Sequence, residues 1–357
     1  MISTIGYGTH HSFSSLGPIK FERREPGRSD VQIDILYCGV CHSDEHQCVN
    51  DWANTIYPCV PGHEIVGRVA NVGDAVTKCH VGDIVGVGCL VDSCGECESC
   101  RADLEQYCEG PKGPTMTYNG PFKPDGTNTY GGYSGVIVVK EHFVLKIPGN
   151  LDLKGVAPLL CAGITTYSPL RHWNVRAGQK VGVVGLGGLG HMAVKLAAAM
   201  QAEVTVFSTC SDKKEDAMRL GAKEFILSTD SLAMTKHELS FDFMISTIPD
   251  AHDINPYIKL LGRDATLAMV GALVPFAKPT DNSQVAFHRR CVAGSLIGGV
   301  RETQELLDFC GANRITADAE IIPIEQINAA FKRMKHGEVR YRFVIDVANS
   351  LVAGEGK

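Results

Sequence analysis

Several large classes of protein are excluded by what this chain has little of. Its 357 residues carry 34 Lys and Arg against 40 Asp and Glu, a formal charge of −6, with no basic run. A protein that grips a nucleic acid backbone needs the opposite balance, so that class is set aside. Long apolar stretches are also missing. The longest uncharged segments, such as 155–170, are broken by Pro and Gly and fall short of a membrane span. The opening MISTIGYGTHHSFSS has neither a basic start nor a long apolar core, so no signal peptide is expected. Internal repeats and low-complexity segments are absent too. The composition, 44% hydrophobic and 21% charged, is that of a soluble globular chain, expected in the cytoplasm.

What is present is length and cysteine. A chain of 357 residues exceeds what one core usually supports, so two domains are expected. Of the 14 cysteines, four lie between Cys94 and Cys108. Clustering of this kind, in a large chain for which no secretion is expected, points to metal binding rather than cross-linking.

Organisation changes partway along the chain. Before residue 150 the pattern is of short strands: VQIDI at 31–35 alternates with period two, and 64–72, 84–90 and 135–147 follow in the same style. Segment 109–133, rich in Gly, Pro, Thr and Asn, is an irregular excursion suited to a lid. Beyond Pro148-Gly149, apolar strands are expected at 180–184, 203–207, 224–227, 241–246, 265–270 and 292–297, with a helix over 191–200. Strands alternating with helices imply a doubly wound parallel sheet. Helices at 302–310 and 326–336 and a strand at 341–347 close the chain.

Three constellations carry chemistry. Gly185-Leu-Gly187-Gly188-Leu189-Gly190 follows a strand and opens a helix, the context in which a glycine turn cradles a dinucleotide pyrophosphate. At the end of the next strand an NAD-binding chain usually has Asp or Glu for the ribose 2′-hydroxyl. Here stand Ser208, Thr209 and Ser211, with Lys213 and Lys214 just beyond; hydroxyls and cations suit a 2′-phosphate, and only Asp212 speaks against it. NADP is therefore the expected cofactor. The second constellation, Cys94-x₂-Cys97-x₂-Cys100-x₇-Cys108, is the spacing of a closed structural zinc site. The third is dispersed: Cys41 and Asp44 in CHSD, His63 and Glu64 in GHE, and Cys161 in LLCAG. Two Cys and one His make an open catalytic zinc site, yet spacing alone does not single these out among 14 Cys and 13 His. Cys38 and Cys41 even form a C-x₂-C compatible with half of another site.

The motifs taken together, GVCHSD (39–44), PGHEIVGRV (61–69), the four-cysteine lobe, LLCAGITTYSPL (159–170), VGVVGLGGLGHMAVKLA (181–197), GSLIGG (294–299) and RYRFVID (340–346), resemble the zinc-dependent medium-chain alcohol dehydrogenases. Within them the chain is similar to the cinnamyl alcohol dehydrogenase-like branch, which includes bacterial NADP-dependent aldehyde reductases. The resemblance implies a GroES-like β-rich catalytic domain from residues 1–150, carrying the structural zinc lobe at about 92–110, and a Rossmann domain at 151–298. Residues 299–357 would return to the catalytic domain, leaving the active site in the cleft between the two.

It implies further that Cys41, His63 and Cys161 bind catalytic zinc, with Glu64 either behind these ligands or an alternate ligand and Asp44 orienting His63. Ser43 would touch the substrate oxygen, and His46 would end a proton relay to solvent. His42, Thr165 and Arg342 would contact the cofactor, Ser295 and Ile297 would lie near its nicotinamide, and Trp52 would line the substrate pocket. The implied activity is reversible reduction of aromatic and medium-chain aldehydes to primary alcohols by NADPH, with two zinc ions per chain, in a homodimer. Plainer readings stand beside these: His46 as a surface histidine, Trp52 as a packing residue, His191 as structural. Cys38, Cys48, Cys59, Cys79, Cys89, Cys210, Cys291 and Cys310 read most simply as small buried hydrophobes. An NAD-dependent zinc polyol or secondary-alcohol dehydrogenase, and a catalytically silent zinc and NADP-binding protein, remain as alternatives.

Overall fold

The alternating run at 31–35 is the middle of an eleven-residue strand, Asp30–Val40, around which the first sheet is built. In the computed structural model, which describes residues 1–120, 129–271 and 273–351, Val31, Ile33 and Ile35 point into the core while Asp34 faces solvent. One side of this strand pairs with Val136–Lys140 over its first half and with Arg342–Asp346 over its second. The other side pairs with Ile65–Val72, with register shifts near Gln32 and Tyr37. The strand order is Ala319–Ile322, Arg342–Asp346, Asp30–Val40, Ile65–Val72, Ile84–Val87 and Leu145–Lys146, so both ends of the chain contribute. An unanticipated hairpin, Ile2–Gly8 with Gly17–Arg23, precedes them.

The chain forms two compact units, Met1–Cys161 with Gly298–Lys357, and Ala162–Ile297. The second holds six parallel strands in the order Glu224–Leu227, Glu203–Ser208, Lys180–Val184, Phe241–Ser246, Leu261–Met269 and Cys291–Gly294. Counted along the chain this is 3-2-1-4-5-6, the doubly wound order, which reverses beside Lys180–Val184. Buried Phe207, Phe241, Met244 and Leu267 form its core.

Some expectations shift. The run at 84–90 is two strands, Ile84–Val87 and Leu90–Asp92. The last parallel strand is Cys291–Gly294 rather than 292–297; Ile297 has a left-handed φ of 36°, which no strand tolerates. Cys210 and Cys291 are exposed, not buried, because one sits in the turn after a strand and the other opens the edge strand. The centre of the expected excursion, 121–128, lies outside the described residues. Among the described residues no helix is long and apolar enough to cross a membrane.

Candidate functional site

Strand Asp30–Val40 ends at Cys41, which caps the eight-residue helix His42–Val49. The cap is reciprocal: the Cys41 sulfur accepts the Asp44 N–H, and the Asp44 carboxylate accepts the Cys41 N–H at 2.9 Å. A thiol at a helix start is biased toward thiolate. His63 and Glu64 lie just before strand Ile65–Val72, and Cys161 follows the turn Ala157–Leu160. The chain thereby brings ligand atoms of Cys41, His63, Glu64 and Cys161 within 4.8 Å of one another. The Cys161 thiol hydrogen-bonded to Cys41, with His63 and Arg342 nearby, outweighs burial and holds the Cys41 thiol well below its ordinary range. Cys161 moves the other way, pushed up by its contacts with Cys41 and Cys89 and by burial.

Asp44, with no exposed surface, organises this centre. Its Oδ1 accepts from Gly62 N–H at 3.1 Å and lies 3.0 Å from His63 Nδ1. Committing Nδ1 to the carboxylate leaves Nε2 to face a metal. Burial alone would lower the His63 pKa, but the Asp44 charge dominates and raises it. Burial lifts Glu64 to about 7 against the pull of Arg342, whose guanidinium pairs with Glu64 Oε1. Glu64 Oε2 has no partner although buried. Two sulfurs, one imidazole nitrogen and an orphaned carboxylate oxygen are a donor set that fits zinc. Arg342, assigned by resemblance to the cofactor, is turned here to Glu64 and is 4% exposed.

On the helix beyond Cys41, Ser43 Oγ lies 3.6 Å from Cys41 Sγ. His46 Nδ1 is 2.7 Å from Asp51 Oδ2, and its ring lies 5.7 Å from that of Trp52 and 6.4 Å from that of His42. His46 is thus partnered at a partly open surface, as the end of a relay requires. Sequence reasoning missed Tyr118, whose ring is 5.5 Å from His63, and Tyr133, whose hydroxyl donates to Asp44 Oδ2 at 3.1 Å. It also passed over Cys89, which touches Cys161.

The four-cysteine lobe is gathered by backbone amides. Cys94 Sγ accepts from the N–H of Cys97 at 3.3 Å, and Cys97 Sγ from those of Cys100 at 3.4 Å and Glu109 at 3.3 Å. These donors draw Cys97 down to about 6. Zinc–sulfur bonds of about 2.3 Å place the sulfurs of a tetrahedral site about 3.8 Å apart; Cys94 Sγ and Cys100 Sγ are 3.8 Å apart. The ligand atoms of Cys94, Cys97, Cys100 and Cys108 converge within 4.8 Å, so the lobe also fits zinc.

In the second unit the glycine turn divides its labour. Gly185 takes a φ of 90°, open to glycine at little cost. A Cβ on Gly190 would lie 2.2 Å from the Gly185 carbonyl oxygen, so helix Gly188–Ala199 packs against the strand only without one. A Cβ on Gly187 would meet nothing within 4 Å, which is the open face where a pyrophosphate can approach. The first-turn amides, those of Gly188, Leu189 and Gly190 among them, have no partner within the helix. Thr247, which sequence reasoning also passed over, braces the turn by donating to Val184 O at 2.9 Å or Gly185 O at 3.2 Å.

Ser208 is buried and accepts the Cys210 N–H at 3.2 Å, while Thr209, Ser211 and Lys214 are exposed. Lys213 Nζ reaches back to Leu186 O at 2.9 Å, which sets a cation beside the glycine turn. Ser211 donates to Asp212 at 3.3 Å. Thr165 is 6% exposed in helix Ala162–His172, Ser295 is half-buried, and Ile297 is buried. His191 is fully buried, its Nδ1 2.7 Å from Gly188 O.

Two family models match the chain: an alcohol dehydrogenase GroES-like domain over residues 27–149 and a zinc-binding dehydrogenase over 188–312. The aldehyde reductase YahK of Escherichia coli is 53% identical over 340 residues, 95% of this chain and 97% of that one. A probable mannitol dehydrogenase of Fragaria ananassa is 50% identical over 349 residues, 97% and 96% of the two chains. Among solved structures, a cinnamyl alcohol dehydrogenase from Helicobacter pylori complexed with NADP(H) superimposes with a TM-score of 0.89 at 41% identity, covering 98% of this chain and 99% of that one.

Proposed function

This chain belongs to the zinc-dependent medium-chain alcohol dehydrogenases, in the cinnamyl alcohol dehydrogenase-like branch, and from that premise we propose how its side chains divide the work. It is an NADP-dependent oxidoreductase that interconverts aldehydes and alcohols, with one catalytic and one structural zinc. Cys41, His63 and Cys161 hold the catalytic zinc, with Glu64 in reserve. Bound there, zinc supplies a Lewis acid for the carbonyl oxygen, and the nicotinamide supplies the hydride.

The chain's own residues handle orientation and protons. Asp44 holds His63 in one tautomer. Ser43, beside Cys41, donates a hydrogen bond to the substrate oxygen and gives up its proton as the alcohol forms. His46, steadied by Asp51, replenishes that proton from solvent. The glycine turn holds the pyrophosphate, and Ser208, Thr209, Ser211, Lys213 and Lys214 receive the 2′-phosphate. His42, Thr165, Ser295 and Ile297 complete the cofactor contacts, while Arg342 stays paired with Glu64, and Trp52 walls the substrate site.

The observation that carries this reading is the convergence of Cys41, His63, Glu64 and Cys161, with His63 Nε2 freed by Asp44. Its test is metal analysis of Cys161→Ala beside the parent enzyme. One zinc lost, turnover lost and NADPH binding kept are expected; a variant that keeps its activity at a single zinc per chain would overturn it. The 50% identical mannitol dehydrogenase favours a second reading, a polyol substrate. The chain is further proposed to be a cytoplasmic homodimer. Fourteen free cysteines suit a reducing compartment. Edge strand Cys291–Gly294, which ends the parallel sheet, offers an edge for a second copy.

A further inference from the structure

The segment Gly131-Gly132-Tyr133-Ser134 has no part in the chemistry just described, yet it lies directly beneath the metal centre. Its backbone pairs with the segment that carries His63: Gly131 N–H donates to Val60 O at 2.7 Å, Gly132 N–H to Gly62 O at 2.8 Å and Tyr133 N–H to Pro61 O at 3.0 Å. Arg23 ties down the other side, donating to the carbonyls of Tyr130, Gly131 and Val136 and to Ser134 Oγ at 2.7–3.0 Å. The Tyr133 ring packs against Gly62, where a Cβ would stand 2.6 Å from its Cδ1. Tyr133 and Asp44 are both without exposed surface, and the phenol hydroxyl donates to Asp44 Oδ2 at 3.1 Å.

We propose that Tyr133 is a positioning residue for the catalytic zinc, holding the Asp44 carboxylate so that Oδ1 stays on His63 Nδ1. The inference rests on His63 being a ligand. The carboxylate is pinned at both ends. Gly62 N–H and His63 hold Oδ1, while Cys41 N–H and Tyr133 hold Oδ2. Of the two donors on Oδ2, the Cys41 amide belongs to a zinc ligand and moves with it. Among the described residues, Tyr133 is what ties Oδ2 to the hydrogen-bonded segment beneath. Removing its hydroxyl lets the carboxylate rotate with the ligand rather than against a fixed point.

The test is release of zinc to the chelating dye 4-(2-pyridylazo)resorcinol, followed in holoenzyme, Tyr133→Phe, Asp44→Asn and the double variant. The four-cysteine zinc serves as an internal standard. Partners one step behind a ligand typically change affinity 10–100-fold, so Tyr133→Phe is expected to speed release of the catalytic zinc about tenfold. The structural-zinc phase stays unchanged, which also reports that the variant is folded. In the Asp44→Asn background the second substitution adds nothing, because Tyr133 acts only through Asp44. Release within twofold of the parent, an equal effect in the Asp44→Asn background, or equal acceleration of both zinc phases would each overturn the proposal. A parent enzyme with no releasable zinc beyond the four-cysteine site would instead remove the ligand assignment on which it rests.

Discussion

Asp44 accepts hydrogen bonds from two backbone amides and a tyrosine and faces the His63 imidazole, so it both fixes geometry and favours the charged imidazole. At this scale the chain reads unevenly. Cys41, His63, Glu64 and Cys161 were legible only through the family resemblance, since spacing alone did not single them out, and the folded chain brings their ligand atoms together. The Tyr133–Asp44 contact was not, since it spans 89 positions and joins a glycine-rich excursion to a helix. The Arg342–Glu64 pair, 278 positions apart, was likewise beyond any local pattern. The turn after strand Glu203–Ser208 was read from its hydroxyls and cations, and one of its lysines adds a test. Lys213, bonded to Leu186 O, is the cation proposed to meet the 2′-phosphate. Loss of one charge-assisted bond costs about 1.5–3 kcal/mol. Lys213→Ala should therefore lower kcat/KM with NADPH at least tenfold while leaving NADH nearly untouched. Equal losses with both cofactors would make Lys213 a brace for the glycine turn and nothing more.

Elements were legible where periodicity was strong. The parallel strands and helix Gly188–Ala199 announce themselves by apolar runs; helix His42–Val49 does not, being eight mostly polar residues started by the Cys41–Asp44 cap. The glycine turn predicts two distinct phenotypes. Gly190→Ala should destabilise the fold by about 1–3 kcal/mol, because its Cβ would collide with the Gly185 carbonyl. Gly187→Ala meets open space, so it should leave the melting temperature alone and weaken NADPH binding. Thermal unfolding and cofactor titration of both variants separate the two roles.

The strand that delivers Cys41 begins at Asp30, whose carboxylate accepts from Arg24 and from Gly27 N–H at 2.6 Å. Burial raises the Asp30 pKa, but these donors win and hold it below the usual value. A depressed folded pKa means stability present above the unfolded value and lost as pH falls through the folded one. Asp30→Asn should therefore cost about 1–2 kcal/mol near neutral pH. Denaturant titrations should show that difference closing below about pH 4, where the unfolded carboxyl protonates; a difference independent of pH would contradict it.

At the scale of the whole molecule, both chain ends join one sheet and a doubly wound unit is inserted between them. The change of style after residue 150 announced the parallel sheet and the resemblance implied its insertion, while the strand pairing of Arg342–Asp346 with Asp30–Val40 needed the folded chain to be seen. The two metal sites lie in the same unit but share no ligand, so they should fail separately. Cys97→Ser should lose the structural zinc and unfold at a lower temperature, with catalytic zinc retained in the cold; loss of both ions together would show that the lobe supports the catalytic site. Reduction of aldehydes with NADPH is the activity that the similar proteins support. Its most direct test is initial rates of the zinc-loaded enzyme with cinnamaldehyde and NADPH, against cinnamaldehyde with NADH and mannitol with either oxidised cofactor. Rapid turnover of cinnamaldehyde that depends on NADPH is the predicted result; efficient mannitol oxidation with NAD and no aldehyde reduction with NADPH would contradict it.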